Sequence, residues 1–355
     1  MNSDRPDITQ EYEEWRSKGF SIARIIAEHK GRYSIIVQEK LLSAEITGKM
    51  MFDAETRKDY PAVGDWVAVQ VYDENSPAII QHIFPRKTIL SRKTSGREVE
   101  EQIIATNMDI VFIVMGLDKN FNLRRLERFL VVAKHSGAVP VILLSKTDLL
   151  SDEELENLIT EVETISHEAV TIAYSAKTLL HLDEIKQLIT KDSTICFIGS
   201  SGAGKSTLIN RLIGSEKLQT QEVREDDSRG KHTTTHRELI PLESGGCVID
   251  TPGLREIGLW EVGGSLDETF SDITELGLQC KFTDCTHAHE PGCAVQSAIE
   301  DGTLELGRYE SFLKLKKEAD YIESKSSFTK QQERKAREKQ MGKNIKAILK
   351  MKHKK

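Results

Sequence analysis

A chain of 355 residues, 38% hydrophobic and 30% charged, is too long for one ordinary core and reads as a soluble protein of two or three domains. No apolar run approaches the roughly 20 residues that cross a bilayer, and the acidic start from Met1 to Trp15 lacks the pattern of a signal peptide, so a cytoplasmic protein with no membrane contact is expected. The net charge of −7 hides an asymmetry: from Ser324 onward twelve Lys/Arg face two Glu, which leaves −17 on residues 1–323 and describes either a solvated end or a basic arm for nucleic-acid phosphates.

An acidic extension occupies residues 1–20. Residues 21–95 carry short alternating runs, Tyr33–Val37 and Asp65–Val71, between turn residues Gly48, Pro61, Gly64 and Pro77. This predicts a small all-β unit whose size fits a five-stranded oligonucleotide/oligosaccharide-binding (OB) barrel or an SH3-like barrel. Over 96–262 the texture changes to continuous apolar runs at Ile110–Met115, Val139–Leu144, Val170–Tyr174 and Thr194–Ile198. Helical patterns lie between them at Leu123–His135, Asp152–Ser166 and Leu182–Thr190, and two further strands are expected at Glu238–Pro241 and Cys247–Asp250. Strand and helix in alternation predict a parallel sheet covered on both faces. A cysteine-bearing segment follows over 263–313, a charged helix starts near Leu306, and a basic helical tail fills 314–355.

Four elements at the ends of those strands carry guanine-nucleotide chemistry. Ser145, Lys146, Thr147 and Asp148 follow Val139–Leu144 in the place of an [N/T]-K-x-D motif, whose Asp accepts hydrogen bonds from guanine N1–H and the 2-amino group. Adenine has neither donor and would leave a buried carboxylate unpaired. Ser145 stands where Asn is usual, and its shorter side chain is expected to weaken the tie to the phosphate loop without removing base choice. Ser175, Ala176 and Lys177 close the next strand as the loop that touches the guanine carbonyl. Gly199, Ser200, Ser201, Gly202, Ala203, Gly204, Lys205 and Ser206 then match G-x-x-x-x-G-K-[ST] between a strand and a helix, with Thr207 counted with the loop. Its backbone N–H groups would cradle phosphates, Lys205 would reach the β- and γ-phosphates, and Ser206 would bind Mg²⁺. In Gly230–Thr235, Thr234 is the favoured partner of the metal and γ-phosphate, with Thr233 as the alternative. Asp250-Thr251-Pro252-Gly253 has the D-x-x-G form, in which Asp250 orients Mg²⁺ through water and the Gly253 N–H senses the γ-phosphate.

The usual order is phosphate loop, switch, D-x-x-G, N-K-x-D and S-A-K; here the last two come first, a circular permutation. Leu254 stands where many small GTPases place a water-orienting Gln, and the nearest substitute is His232, whose neutral imidazole could accept a hydrogen bond from water. His232, Lys205 and Thr234 are thus the expected catalytic set.

Of five cysteines, Cys280, Cys285 and Cys293 fall together with His287 in the spacing C-x4-C-x-H-x5-C. An odd count without a secretory signal argues against a disulfide framework, and three thiolates with one imidazole suit one closed, structural Zn²⁺; His289 ranks second to His287.

With these residues in view, the chain resembles the bacterial ribosome small-subunit-dependent GTPase A family. The resemblance spans Pro61–Val67, Pro85–Thr88, Ser91–Lys93, the permuted motifs and the Cys/His set with Glu290-Pro291-Gly292. It implies an OB barrel, a permuted GTPase domain and a C-terminal zinc domain. It also implies late maturation of the small ribosomal subunit, contact with its rRNA, and hydrolysis of GTP to GDP and phosphate stimulated by that subunit. For catalysis it points to His232 as well. A monomer is expected. The competing reading is a nucleotide-dependent RNA-binding module with negligible hydrolysis, kept open by Leu254 and Ser145.

Overall fold

The computed structural model describes residues 9–29, 31–73, 76–93, 101–166, 169–215, 237–251, 258–260, 262–288 and 290–325. Strands β1 (Ser21–His29), β2 (Arg32–Val37), β3 (Lys40–Ile46), β4 (Trp66–Gln70) and β5 (Ala78–Ile83) pair in the order β1-β2-β3-β5-β4, and β4 returns to β1. β3 and β5 are parallel, from Ala44↔Ala78 to Ile46↔Ile80, while the other pairs of the ring are antiparallel. This closed five-strand ring is an OB barrel and decides between the two barrels that the sequence pattern allows. Alternate residues fill it: Ile25, Ile35, Val67, Val69 and Ile80 are all 0% exposed.

Helix α1 (Thr9–Ser17) covers part of the barrel's outer face, where Tyr12 meets Phe84 edge-on at 4.5 Å and Trp15 stacks on His82 at 4.8 Å. The acidic extension therefore has a packing role in its second half. A short helix, α2 (Gly48–Asp53), lies between β3 and β4. Arg86 forks onto the buried Asp65 at 2.8 and 2.6 Å and donates to the Lys58 and Tyr60 carbonyls, so the Pro61–Val67 and Pro85–Thr88 stretches lock one barrel corner.

A hairpin of β6 (Ile89–Lys93) and β7 (Glu101–Thr106) leads out of the barrel. The α/β part then places β8 (Ile110–Gly116), β9 (Val139–Ser145), β10 (Val170–Tyr174), β11 (Thr194–Gly199), β12 (Glu238–Pro241) and β13 (Cys247–Asp250) in the order β10-β9-β8-β11-β13-β12. All run parallel except β12, which is antiparallel to β13 and meets β1 at Ala27↔Glu238. Helices α3 (Leu123–His135) and α4 (Asp152–Ser166) bury Leu126, Phe129 and Val162 in the core on one face, while α5 (Leu182–Gln187) and α6 (Lys205–Ile213) bury Leu182, Ile185 and Leu208 in the other. α5 ends at Gln187, short of the expected Thr190, because the Thr190 N–H turns to the Ser193 hydroxyl at 3.0 Å.

The C-terminal part contains α7 (Ser265–Thr269), α8 (Ser271–Leu278), α9 (Ala294–Glu300) and α10 over 306–325. α10 runs unbroken across the 313/314 boundary expected from sequence, and its Phe312, Leu315 and Ile322 are buried in the core shared with α3. Residues 314–325 thus belong to the packed body; 326–355 lie outside the described residues.

Candidate functional site

The parallel strands β8, β9, β10, β11 and β13 end at Gly116, Ser145, Tyr174, Gly199 and Asp250 on one edge of the sheet. From β8 the chain proceeds to β9, and from β11 it proceeds to the opposite side, so the crevice between them is a topological switch point where open α/β sheets bind ligands.

The phosphate loop sits at that crevice. Gly199 has φ +144°, and a Cβ there would lie 2.1 Å from the Val114 carbonyl oxygen, so only glycine lets the loop leave β11 this close to β8. Gly204 (φ +90°) turns the chain into α6, whose first N–H groups face the loop as an anion site. Lys205 Nζ lies within the loop, donating to the Gly199 and Ser200 carbonyls at 2.7 and 2.6 Å. Ser206 and Thr207 follow in the first turn of α6.

On the base side, Ser145 is 2% exposed and donates its hydroxyl to the Ala203 carbonyl at 2.6 Å. The end of β9 lies close enough for a side chain as short as serine's to reach the Gly199–Ser206 loop. Lys146 is held at φ +67°, a conformation costly for a non-glycine residue and frequent at functional sites. The Ser175 hydroxyl donates to Asp148 Oδ1 at 2.7 Å, while the Lys177 and Thr178 N–H groups donate to that same hydroxyl at 3.2 Å. One carboxylate oxygen of Asp148 is thus anchored by the S-A-K loop, and the other lies 3.9 Å from Lys177 Nζ. Ala176 lies between these anchors, half-buried.

Asp250 ends β13, where burial, aided by Glu238, pushes its carboxyl up to about 6 against the Thr251 N–H and Lys205. A carboxylate in that environment favours a nearby cation. The Thr251 hydroxyl donates to the Phe197 carbonyl at 3.1 Å and ties the residue after Asp250 to β11. His232, Thr233, Thr234, Gly253 and Leu254 lie outside the described residues, as does His289.

Cys280, Cys285, His287 and Cys293 converge, with all four ligand atoms within 4.8 Å of one another. The donor set can hold a metal ion. Cys280 follows the end of α8, Cys293 caps α9 by accepting the Gln296 N–H at 3.5 Å, and His287 sits on a left-handed turn at φ +61°. The His287 carbonyl accepts from Gln296 Nε2 and from the Tyr309 hydroxyl, the latter at 3.0 Å. Burial, with the nearby Lys316 charge, lowers the pKa of the His287 imidazole and favours the neutral, ligating form.

Asp118 escapes sequence reasoning. It lies just beyond β8 and its carboxylate takes Lys146 Nζ at 2.5 Å. Burial would raise its pKa, but hydrogen bonds from Lys146 and the Asn120 N–H and the Lys146 charge hold it below the ordinary range. The only signal was its place after a strand on the same edge as the other motifs.

Residues 83–260 match the protein family described as RsgA GTPase. The chain is 46% identical over 315 residues to a small ribosomal subunit biogenesis GTPase RsgA 2 of Lactiplantibacillus plantarum, covering 89% of this chain and 86% of that protein. It is 47% identical over 307 residues to the RsgA 1 protein of that name from Oceanobacillus iheyensis, covering 86% and 87%. Among solved structures it is similar to YjeQ from Thermotoga maritima, with a TM-score of 0.63 at 26% identity over 84% of this chain and 98% of that one. It is also similar to YloQ, a circularly permuted GTPase, with a TM-score of 0.59 at 26% identity over 85% and 95%.

Proposed function

The chain belongs to the RsgA GTPase family, and we propose that it binds the small ribosomal subunit, assists its late maturation and hydrolyses GTP to GDP and phosphate with stimulation by that subunit. The observation that carries this reading is the assembly of permuted guanine-nucleotide loops on one sheet edge, between an OB barrel and a Cys/His centre.

In the proposed site the guanine lies against Ser145–Asp148 and Ser175–Lys177, and the phosphates against Gly199–Ser206 and Thr207. Phosphoryl transfer needs positioning and charge stabilisation more than covalent chemistry. Lys205, already turned into the loop, supplies positive charge to the transferring phosphoryl group. Mg²⁺ arriving with GTP would be held by Ser206, Asp250 and Thr234 and would neutralise phosphate oxygens. His232 would orient the attacking water, and ordering of its segment by the subunit would set the stimulated rate.

The Cys/His centre is proposed to hold one structural zinc ion. Tetrahedral zinc, with Zn–S and Zn–N near about 2.3 and 2.0 Å, needs donors roughly 3.5–3.8 Å apart. Here Cys280 Sγ and Cys293 Sγ are 3.9 Å apart, and His287 Nδ1 lies 3.5 and 3.4 Å from them. All four positions are filled by protein, which supports a closed site.

The protein is proposed to act as a cytoplasmic monomer on rRNA; among the described residues no helix is long and apolar enough to cross a membrane. Co-sedimentation with separated subunits over a series of salt concentrations tests the partner. Binding to small subunits with a non-hydrolysable GTP analogue, falling steeply with salt, is expected for a contact made largely to phosphates. Equal binding to small and large subunits would contradict it.

A further inference from the structure

Helix α3 is held along one side by three polar ties to α10 and the segment before it. Arg124 pairs with Glu305 and with Glu127. Glu127, 0% exposed, also receives Arg308 Nη1 at 3.1 Å. One turn on from Arg124, Arg128 forks onto Glu318 at 2.9 and 2.6 Å. Arg308 is the hub: it donates to the two Asp272 carboxylate oxygens of α8 at 2.7 Å each and to the Thr269 carbonyl of α7 at 3.0 Å, with its guanidinium 4.8 Å from the Phe270 ring. Such forks specify one relative placement of the helices they join.

The two ends of this assembly are the Cys/His centre and the proposed base loop. Tyr309, next to Arg308, donates to the carbonyl of His287, so adjacent residues of α10 connect the Cys/His centre to α3. At the opposite end α3 starts from its cap Asn122, whose side chain accepts the Arg125 N–H at 2.9 Å. Four residues earlier Asp118 holds Lys146. A continuous set of bonded groups therefore runs from His287 through Tyr309, Arg308, Glu127, α3 and Asp118 to the base loop.

We propose that Glu127 and Arg308 are positioning residues for the guanine side of the nucleotide site, carrying the placement of the metal-bearing segment through α3 and Asp118 to Lys146. The inference rests on Ser145–Asp148 being the base-recognition loop. The route is separate from the D-x-x-G segment, which precedes the Cys/His centre in the chain.

Release of a fluorescent GDP derivative from full-length, metal-loaded protein tests it, with wild type, Glu127→Gln, Asp118→Asn and the double variant compared. Each single substitution is expected to speed release about three- to tenfold, the scale of coupling through packed networks, and the double variant to release no faster than the faster single one, since both act through Lys146. Arg308→Lys, which keeps charge but loses the fork, is expected to speed release with metal content and circular dichroism unchanged. Should Glu127→Gln fail to fold, Arg308→Lys, on the other side of the same tie, takes its place in the cycle with Asp118→Asn. Independent, multiplying effects, or wild-type release rates in the folded tie variants, would overturn the proposal. Equal binding of labelled GDP and ADP by wild type would instead overturn the base-loop reading on which it stands.

Discussion

The Asp148→Asn protein is expected to lose its preference for guanine and to accept xanthine nucleotides instead. Guanine offers two donors, N1–H and the 2-amino group, and a carboxylate accepts both; xanthine offers N1–H with a carbonyl at position 2, which matches an amide. Because Ser175 anchors Oδ1 of Asp148 at 2.7 Å, the asparagine that replaces it would keep the same placement, so the change falls on hydrogen-bond polarity alone. A site built to pair donors rejects a ligand that leaves its groups unsatisfied by factors of about 10⁴ at the upper end, and a fall of roughly 10²–10⁴ in GDP affinity is expected here. Competition between GDP and XDP for the same protein measures it. A variant that still prefers GDP would place the base elsewhere.

The second large effect is expected from Cys293→Ser. Cys293 is 5% exposed, contributes one of the four converging donors, and caps α9 through its sulfur. Its replacement removes a ligand and leaves two thiols and an imidazole around a three-donor site. Metal affinity in small closed sites is largely folding free energy, about 10–16 kcal/mol for isolated zinc-finger peptides. Part of that stabilisation should be lost, together with the packing of α8 and α9. Metal content is expected to fall from one ion per chain to none, with earlier local unfolding of 280–300 by hydrogen exchange. Full metal content with unchanged exchange would show that the four residues do not form a metal site.

Much of this molecule was legible in its sequence, for identifiable reasons. The α/β strands announce themselves because both faces of the sheet are covered, so Ile110–Gly116 and Thr194–Gly199 are apolar at nearly every position. The loops were legible because their chemistry sits in short contiguous stretches. The barrel type was not, since it depends on β3 pairing with β5 and β4 with β1, contacts between strands far apart in the chain. Ser145 shows a different limit: whether its hydroxyl reaches Ala203 depends on the separation of two strand ends, which no pattern encodes. The Glu127 to Arg308 tie is more distant still, its partners standing 181 positions apart. In sequence Arg308 is one basic residue in a charged helix; only the fold shows it buried between three helices.

GTP hydrolysis measured as phosphate release, by full-length protein alone and with purified small or large subunits, tests the central claim most directly. Slow release alone, strong stimulation by small subunits and little by large ones are expected, with the small-subunit effect lost in His232→Ala. Release that small subunits leave unchanged would contradict a subunit-activated GTPase and leave a nucleotide-dependent RNA-binding protein in its place.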